Sequence, residues 1–264
     1  MAKNITRNNE MALPLERHYR VDRGMVCYSS YIESLSMSVC DETYINTRKI
    51  LTVVPGVPRY IHGNFECDNL GLDSLLGGPD TVDGDYACHH NNLTSLDGIA
   101  TSITGDLLAQ NNLIESTSGI PQNVRSIGLG CNRLTSSGDL SYLCDDRIHS
   151  IYLYGIPLVD IGPLPERVGT LDISNTLVTD LHDIHRKLQR CFRFDASRSS
   201  IRSSILGLMY IEIRGVITLG WNDHRHDADA VQTILNKWKN QGRKGVLGAQ
   251  RELLDLGYDE LARI

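Results

Sequence analysis

The chain has 264 residues, with 26 basic against 32 acidic side chains, a formal charge of −6 and 41% apolar residues. That apolar content suffices for a real core and excludes wholesale disorder. The mild acidity lacks the basic excess of a general nucleic-acid binder, and no apolar run of about eighteen residues marks a membrane span.

Residues 1–43 carry no repeat. They hold Met11, Leu13, Leu15, Val21, Met25 and Val26 among basic residues and are expected to form an N-terminal cap. The opening stretch has no apolar core of the kind a signal peptide needs. Seven cysteines without a C-x-x-C pair read as reduced thiols, so a cytoplasmic location is expected.

From residue 44 to 217 the chain repeats itself. Ile61-His62-Gly63-Asn64-Phe65, Val82-Asp83-Gly84-Asp85-Tyr86 and Ile103-Thr104-Gly105-Asp106-Leu107 superimpose at intervals of 21 residues. The second unit continues as Tyr86-x-Cys88-x-x-Asn91-x-Leu93-x-x-Leu96, and the pattern recurs from Ile127, Ile151 and Leu171. Weaker copies start near Tyr44, Phe192 and Ile211, making about nine units. Strand side chains alternate faces, so positions 1 and 3 point inward and positions 2 and 4 outward. One coil of about 21 residues cannot bury its own apolar side, so coils must stack and share a core. A polar residue at position 6, often Asn, is suited to bond the neighbouring backbone. Gly63, Gly84 and Gly105 are expected where the chain bends back before each strand.

From residue 218 onward the periodicity turns helical. Ala230, Val231, Ile234, Leu235 and Trp238 share one face, Asp227 is a candidate N-cap, and Gly242 reads as the end of that helix. Val246, Ala249, Leu253, Leu254 and Leu256 suggest a second helix. Residues 218–264 are therefore expected to form a helical C-terminal cap.

The L-x-L-x-x-N-x-L-x-x-L units resemble the leucine-rich-repeat family, in its short bacterial-effector and tailed-phage branch. Leu164-Pro165-Glu166-Arg167-Val168-Gly169-Thr170-Leu171-Asp172-Ile173-Ser174-Asn175-Thr176 looks like the effector repeat. The units at 63–67 and 84–88 look like repeats found in tailed phages. The resemblance implies an α/β-type repeat fold: a curved solenoid with one parallel β-sheet on its concave face. It also implies a protein-binding role, and for a phage factor a host protein as target in the host cytoplasm.

Candidate chemistry is sparse. Cys144-Asp145-Asp146-Arg147 looks like the Cys-x-Asp-Arg site of effector ubiquitin ligases, which would make Cys144 a nucleophile beside Asp146 and Arg147. A loop cysteine in a longer repeat accounts for it more simply. Cys67 and Cys88 share an inward column with Ala109, which suits small apolar filling. His89-His90 and the stretch Asp223-His224-Arg225-His226-Asp227 lack the converging ligands that zinc requires, so no metal or cofactor is expected, and no enzyme.

What remains is the outward face: Glu66, Asp68, Ala87, His89, Leu108, Gln110, Gly128, Gly130, Tyr152, Tyr154, Asp172, Ser174, Arg193 and Asp195. Tyrosine combines rigid contact area with a polar handle. His89, Gln110, Tyr152, Tyr154 and Arg193 are therefore the expected contacts to a protein partner. A second stripe, Arg186, Lys187, Arg190, Arg193, Arg198, Arg202, Lys237, Lys239, Arg243 and Lys244, reads either as a solvated face or as a site for acidic protein or nucleic acid.

Overall fold

The structure, a computed structural model, describes residues 20–22, 25–27, 59–144, 148–221 and 227–263. The rest of the 1–43 segment, the weak repeat near Tyr44, Asp146, Arg147 and the run Asp223 to His226 lie outside the described residues.

The chain winds as a parallel β-solenoid of about seven turns. Short strands β1 (Arg20–Asp22) and β2 (Met25–Cys27) form an antiparallel pair, and β2 runs parallel to β4 (Phe65–Glu66). Successive coils then add β6 (Tyr86–Ala87), β8 (Asp106–Leu108), β9 (Ser126–Gly128), β10 (Ser150–Tyr152) and β11 (Arg167–Asp172). The sheet ends with β12 (Arg190–Ser199), against which both β13 (Glu212–Ile213) and β14 (Ile217–Trp221) pair. A second, narrow sheet joins β3 (Tyr60–Ile61), β5 (Thr81–Val82) and β7 (Ser102–Ile103), each just before the main strand of its coil.

The strand register gives the physical reading of the repeat. Phe65, Tyr86, Leu107, Ile127, Ile151, Leu171, Phe194 and Ile217 are partners in one column. All eight are fully buried, and so are Cys67, Cys88, Ala109, Leu129, Leu153, Ile173 and Ala196 two residues on. Burial of these side chains stabilises the stack by about 1.5–3 kcal/mol for each large apolar one. The thiols of Cys67 and Cys88 belong to this core: burial pushes Cys67 well above its ordinary range and Cys88 up to about 12.

Position 6 completes the logic. The Asn91 side-chain oxygen accepts from the Leu70 and Leu72 amides, and its nitrogen donates to the Cys67 and Cys88 carbonyls at 2.9 Å. Asn112 and Asn132 repeat the arrangement one and two coils on, donating to Cys88 and Ala109 and to Ala109 and Leu129. All three are buried. Each amide satisfies backbone groups of two coils at a corner no strand ladder reaches.

Just before this column the chain passes through the left-handed region. Asn69, His90, Asn111, Cys131, Asn175 and Arg198 all have φ between 53° and 57°. Asn is the non-glycine residue that tolerates this conformation best, which explains why it recurs there.

Gly63 lies at φ 123°, as the expected bend requires, but the other two glycines before the strands serve a different purpose. Gly84 and Gly105 do not lie at positive φ. A β-carbon on Gly84 would stand 2.6 Å from the Gly63 carbonyl carbon, and one on Gly105 2.5 Å from that of Gly84. Close stacking of coil on coil is what requires them. Beside this column, Asn64 and Asp85 accept the amides of Asp85 and Asp106 at 2.8 Å.

Two later registers differ from the sequence reading. Leu171 pairs with Phe194 rather than Phe192, and Phe194 with Ile217 rather than with a residue near Ile211. These coils are longer because each holds a helical segment: α1 (Ile184–Lys187) in one and a 3₁₀ helix (Ile205–Tyr210) in the next. Phe192, expected inside, is 62% exposed.

At the C-terminal end, α2 (Ala228–Trp238) starts at Asp227, whose carboxylate accepts the Asp229 and Ala230 amides at 3.0 Å. Gly242 opens α3 (Gly242–Asp255) instead of closing α2, and the Trp238 ring lies over Gly248. α2 buries Val231, Ile234 and Leu235, and amide side chains flanking that stripe reach the last strands. Asn236 exchanges two hydrogen bonds with Ile217, Asn240 exchanges two with Ile213, and Gln232 accepts from the Leu219 amide. These amides, at intervals of four, take the place a further strand would occupy and satisfy its bonds. Among the described residues, no helix is long and apolar enough to cross a membrane.

Candidate functional site

Once the inward column is fixed, the outward one follows by alternation. Glu66, Ala87, Leu108, Gly128, Tyr152, Asp172, Asp195 and Thr218 occupy position 2. Asp68, His89, Gln110, Gly130, Tyr154, Ser174, Ser197 and Gly220 occupy position 4. His89, Gln110, Tyr152 and Tyr154 thus share one face, spread over adjoining coils. Arg193 lies one step before its expected place, because Phe194 rather than Phe192 opens that strand's inward pair. It remains on the outward side and pairs with the largely buried Asp195 at 2.9 Å.

The middle of the face is flat because of two glycines. A β-carbon on Gly130 would stand 2.5 Å from Cζ of Tyr154, and one on Gly128 2.8 Å from Nε2 of Gln110. The Tyr154 ring and the Gln110 amide therefore lie down across the neighbouring coil instead of projecting. Burial, then the nearby Cys131 and Asp172, raise the Tyr154 phenol above its ordinary range. The Gln110 side-chain oxygen and Nδ1 of His89 are shielded from solvent and have no hydrogen-bond partner among the described residues. The His89 and His90 rings meet edge to face at 5.1 Å.

The basic stripe is largely engaged within the molecule. Arg190 pairs with Glu212 and Lys237 with Glu252, both at 2.6 Å. Lys187 donates to the Ile161 carbonyl and Lys239 to that of Gly215. Arg198 also has a partner. Desolvation lowers the Lys239 pKa. Arg202, Arg243 and Lys244 stay exposed, so the stripe is open only in part.

Cys144 follows the turn at Ser141 and Tyr142, its amide donating to the Gln122 carbonyl and its carbonyl accepting from the Ile148 amide. Asp146 and Arg147, its supposed companions, lie outside the described residues. Among the described residues, no group of three or more His, Cys, Asp or Glu side chains is placed to hold a metal ion.

One feature escaped the sequence reading. A polar cavity of about 180 Å³ opens between two coils beside α1, with Asp160, Asp180, His182, Asp183 and Lys187 in its wall. Ser136 and Ser203 donate to Asp160 and Asp180, and Lys187 lies 3.7 Å from Asp160. The available signal was the recurrence of Val159-Asp160-Ile161 as Thr179-Asp180-Leu181 at 20 residues.

The fold and face define a parallel β-solenoid with an asparagine ladder and a preset outward sheet surface. No family model matches the chain, and no curated protein matches it.

Proposed function

We propose that this chain is a non-catalytic, protein-binding scaffold of the short leucine-rich-repeat type. It engages one protein partner through the outward, concave face of the main sheet, and residues 218–264 cap its C-terminal end. The observation that carries the reading is the Tyr154 ring seated on Gly130, with Tyr152 beside it on the same strand face. Aromatic groups already fixed in the free protein lose little freedom on binding, so contact area converts more efficiently into affinity. The mechanism is occlusion or recruitment by a rigid surface. The tailed-phage resemblance extends the proposal to a host protein as target.

The engaged cations disfavour nucleic acid as the partner. The enzyme reading keeps only Cys144 among the described residues and predicts that Cys144→Ala abolishes activity.

The test is affinity capture from cell lysate with tagged wild type and a Tyr152→Ala/Tyr154→Ala variant, both checked for folding by circular dichroism. A stoichiometric partner lost from the folded variant supports the reading. A partner held equally by both sinks it.

A further inference from the structure

The outward positions have a charge pattern the chain as a whole lacks. Eight strands from β4 to β14 supply sixteen of these positions, and not one is Lys or Arg, although the chain contains 26 such residues. Four are carboxylates: Glu66, Asp68, Asp172 and Asp195. Arg193 neutralises Asp195. Among the described residues, no cation pairs with Glu66, Asp68 or Asp172. Arg193 itself stands on the outward side, one step before these positions, where Asp195 engages it.

One carboxylate stands beside the tyrosines and two lie at the far end of the sheet. Asp172 stands directly across from Tyr152 in the strand ladder, and its proximity helps raise the Tyr154 phenol. Glu66 and Asp68 lie five strands away. At ~4.8 Å per strand the two acidic ends are about 24 Å apart, the reach of about seven residues of extended chain. A guanidinium or ammonium group over the tyrosine faces beside Asp172 gains both ring and carboxylate attraction.

We propose that the partner presents to this face an extended cationic segment, with Lys or Arg at both ends of a stretch of about seven residues. It runs across the strands, one end at Asp172 and the tyrosines, the other at Glu66 and Asp68. This inference rests on the protein-binding reading above and specifies the chemistry of its partner.

Fluorescence anisotropy with three labelled peptides of about twelve residues, identical except for Lys/Arg, Gln or Glu at the variable positions, tests it on the full chain. The cationic peptide is expected to bind about tenfold or more tightly than the Gln version, and more weakly as salt rises. Glu66→Gln/Asp68→Asn/Asp172→Asn is expected to remove that advantage. Asp97→Asn/Glu115→Gln/Asp255→Asn, which removes the same number of negative charges at exposed sites elsewhere, is expected to retain it. Equal binding of the Gln or Glu peptide overturns the charge assignment, as does equal loss in both triple variants. If those peptides remain sensitive to Tyr152→Ala/Tyr154→Ala, the binding face itself stands. Failure of the wild type to bind any of the three also overturns the inference, and lysate capture then judges the broader reading by itself.

Discussion

The phenol ring of Tyr154 lies flat on Gly130, with no room between them for a β-carbon. The glycine is the seat that keeps the tyrosine down.

Gly130→Ala is therefore expected to lift the ring off the sheet, with a loss of stability of about 1–3 kcal/mol. The Tyr154 phenol should then ionise closer to its ordinary pH, because burial is the main cause of its upward shift. Ultraviolet titration of phenolate, with Tyr154→Phe identifying the signal, reads this directly. An unchanged titration would mean that the ring is not held by the glycine.

The asparagine ladder makes a sharper claim on stability. Asn112→Ala leaves the Leu93 amide and the Cys88 and Ala109 carbonyls without their side-chain partner, at an expected cost of about 2–4 kcal/mol. Asn92, exposed, makes only a 3.4 Å contact to the Gly71 carbonyl, and Asn92→Ala should cost less than about 0.5 kcal/mol. Urea unfolding of both variants distinguishes them. Similar losses would remove the ladder from the account.

Alkali should weaken the core through Cys88, whose folded pKa of about 12 exceeds its ordinary 9 because burial disfavours the thiolate. Below pH 9 both states keep the proton and this contribution is whole. As pH rises toward 12 the unfolded chain ionises first, so stability falls by up to about 1.4 kcal/mol per pH unit for this group. Cys88→Ala, which extends the small residue found at Ala109, should make the alkaline slope shallower by that amount. Denaturation at about pH 8 and pH 10 measures it, and equal slopes would refute it.

Asn236→Leu is expected to expose the Ile217 amide and carbonyl at the last sheet edge, costing about 1–3 kcal/mol. An open edge recruits other strands, so the variant should self-associate with rising concentration in sedimentation velocity. A monodisperse, equally stable variant would show that the side-chain amides do not guard the edge.

Much of this architecture was legible in the sequence, because inward alternation and a position-6 asparagine leave a direct imprint. Twelve of the fourteen expected outward residues fall in their places. The last two registers were lost for a physical reason: Phe192-x-Phe194 and Phe194-x-Ala196 both satisfy the strand pattern. The choice between them depends on the extra length taken up by α1 and the 3₁₀ helix. Gly63 was rightly read as a bend, but Gly84 and Gly105 were also attributed to bending, since stacking distance is not a property of one coil. The engagement of the basic stripe was invisible because Arg190 and Glu212, or Lys237 and Glu252, meet only after folding. His89, Gln110, Tyr152 and Tyr154 could be placed on one face by counting. That Tyr154 and Gln110 lie down on glycines could not.

The amide side chains of α2 finish the sheet without closing it. A barrel must contain the number of staves its curvature dictates, whereas this stack stops wherever the helix happens to follow. Duplication or deletion of one coil's worth of gene would lengthen or shorten the outward face by a single rung, leaving the hydrogen bonds of Gln232 and Asn236 to β14 intact. The length of the outward face is thus free to drift in steps of ~4.8 Å while the fold stays the same.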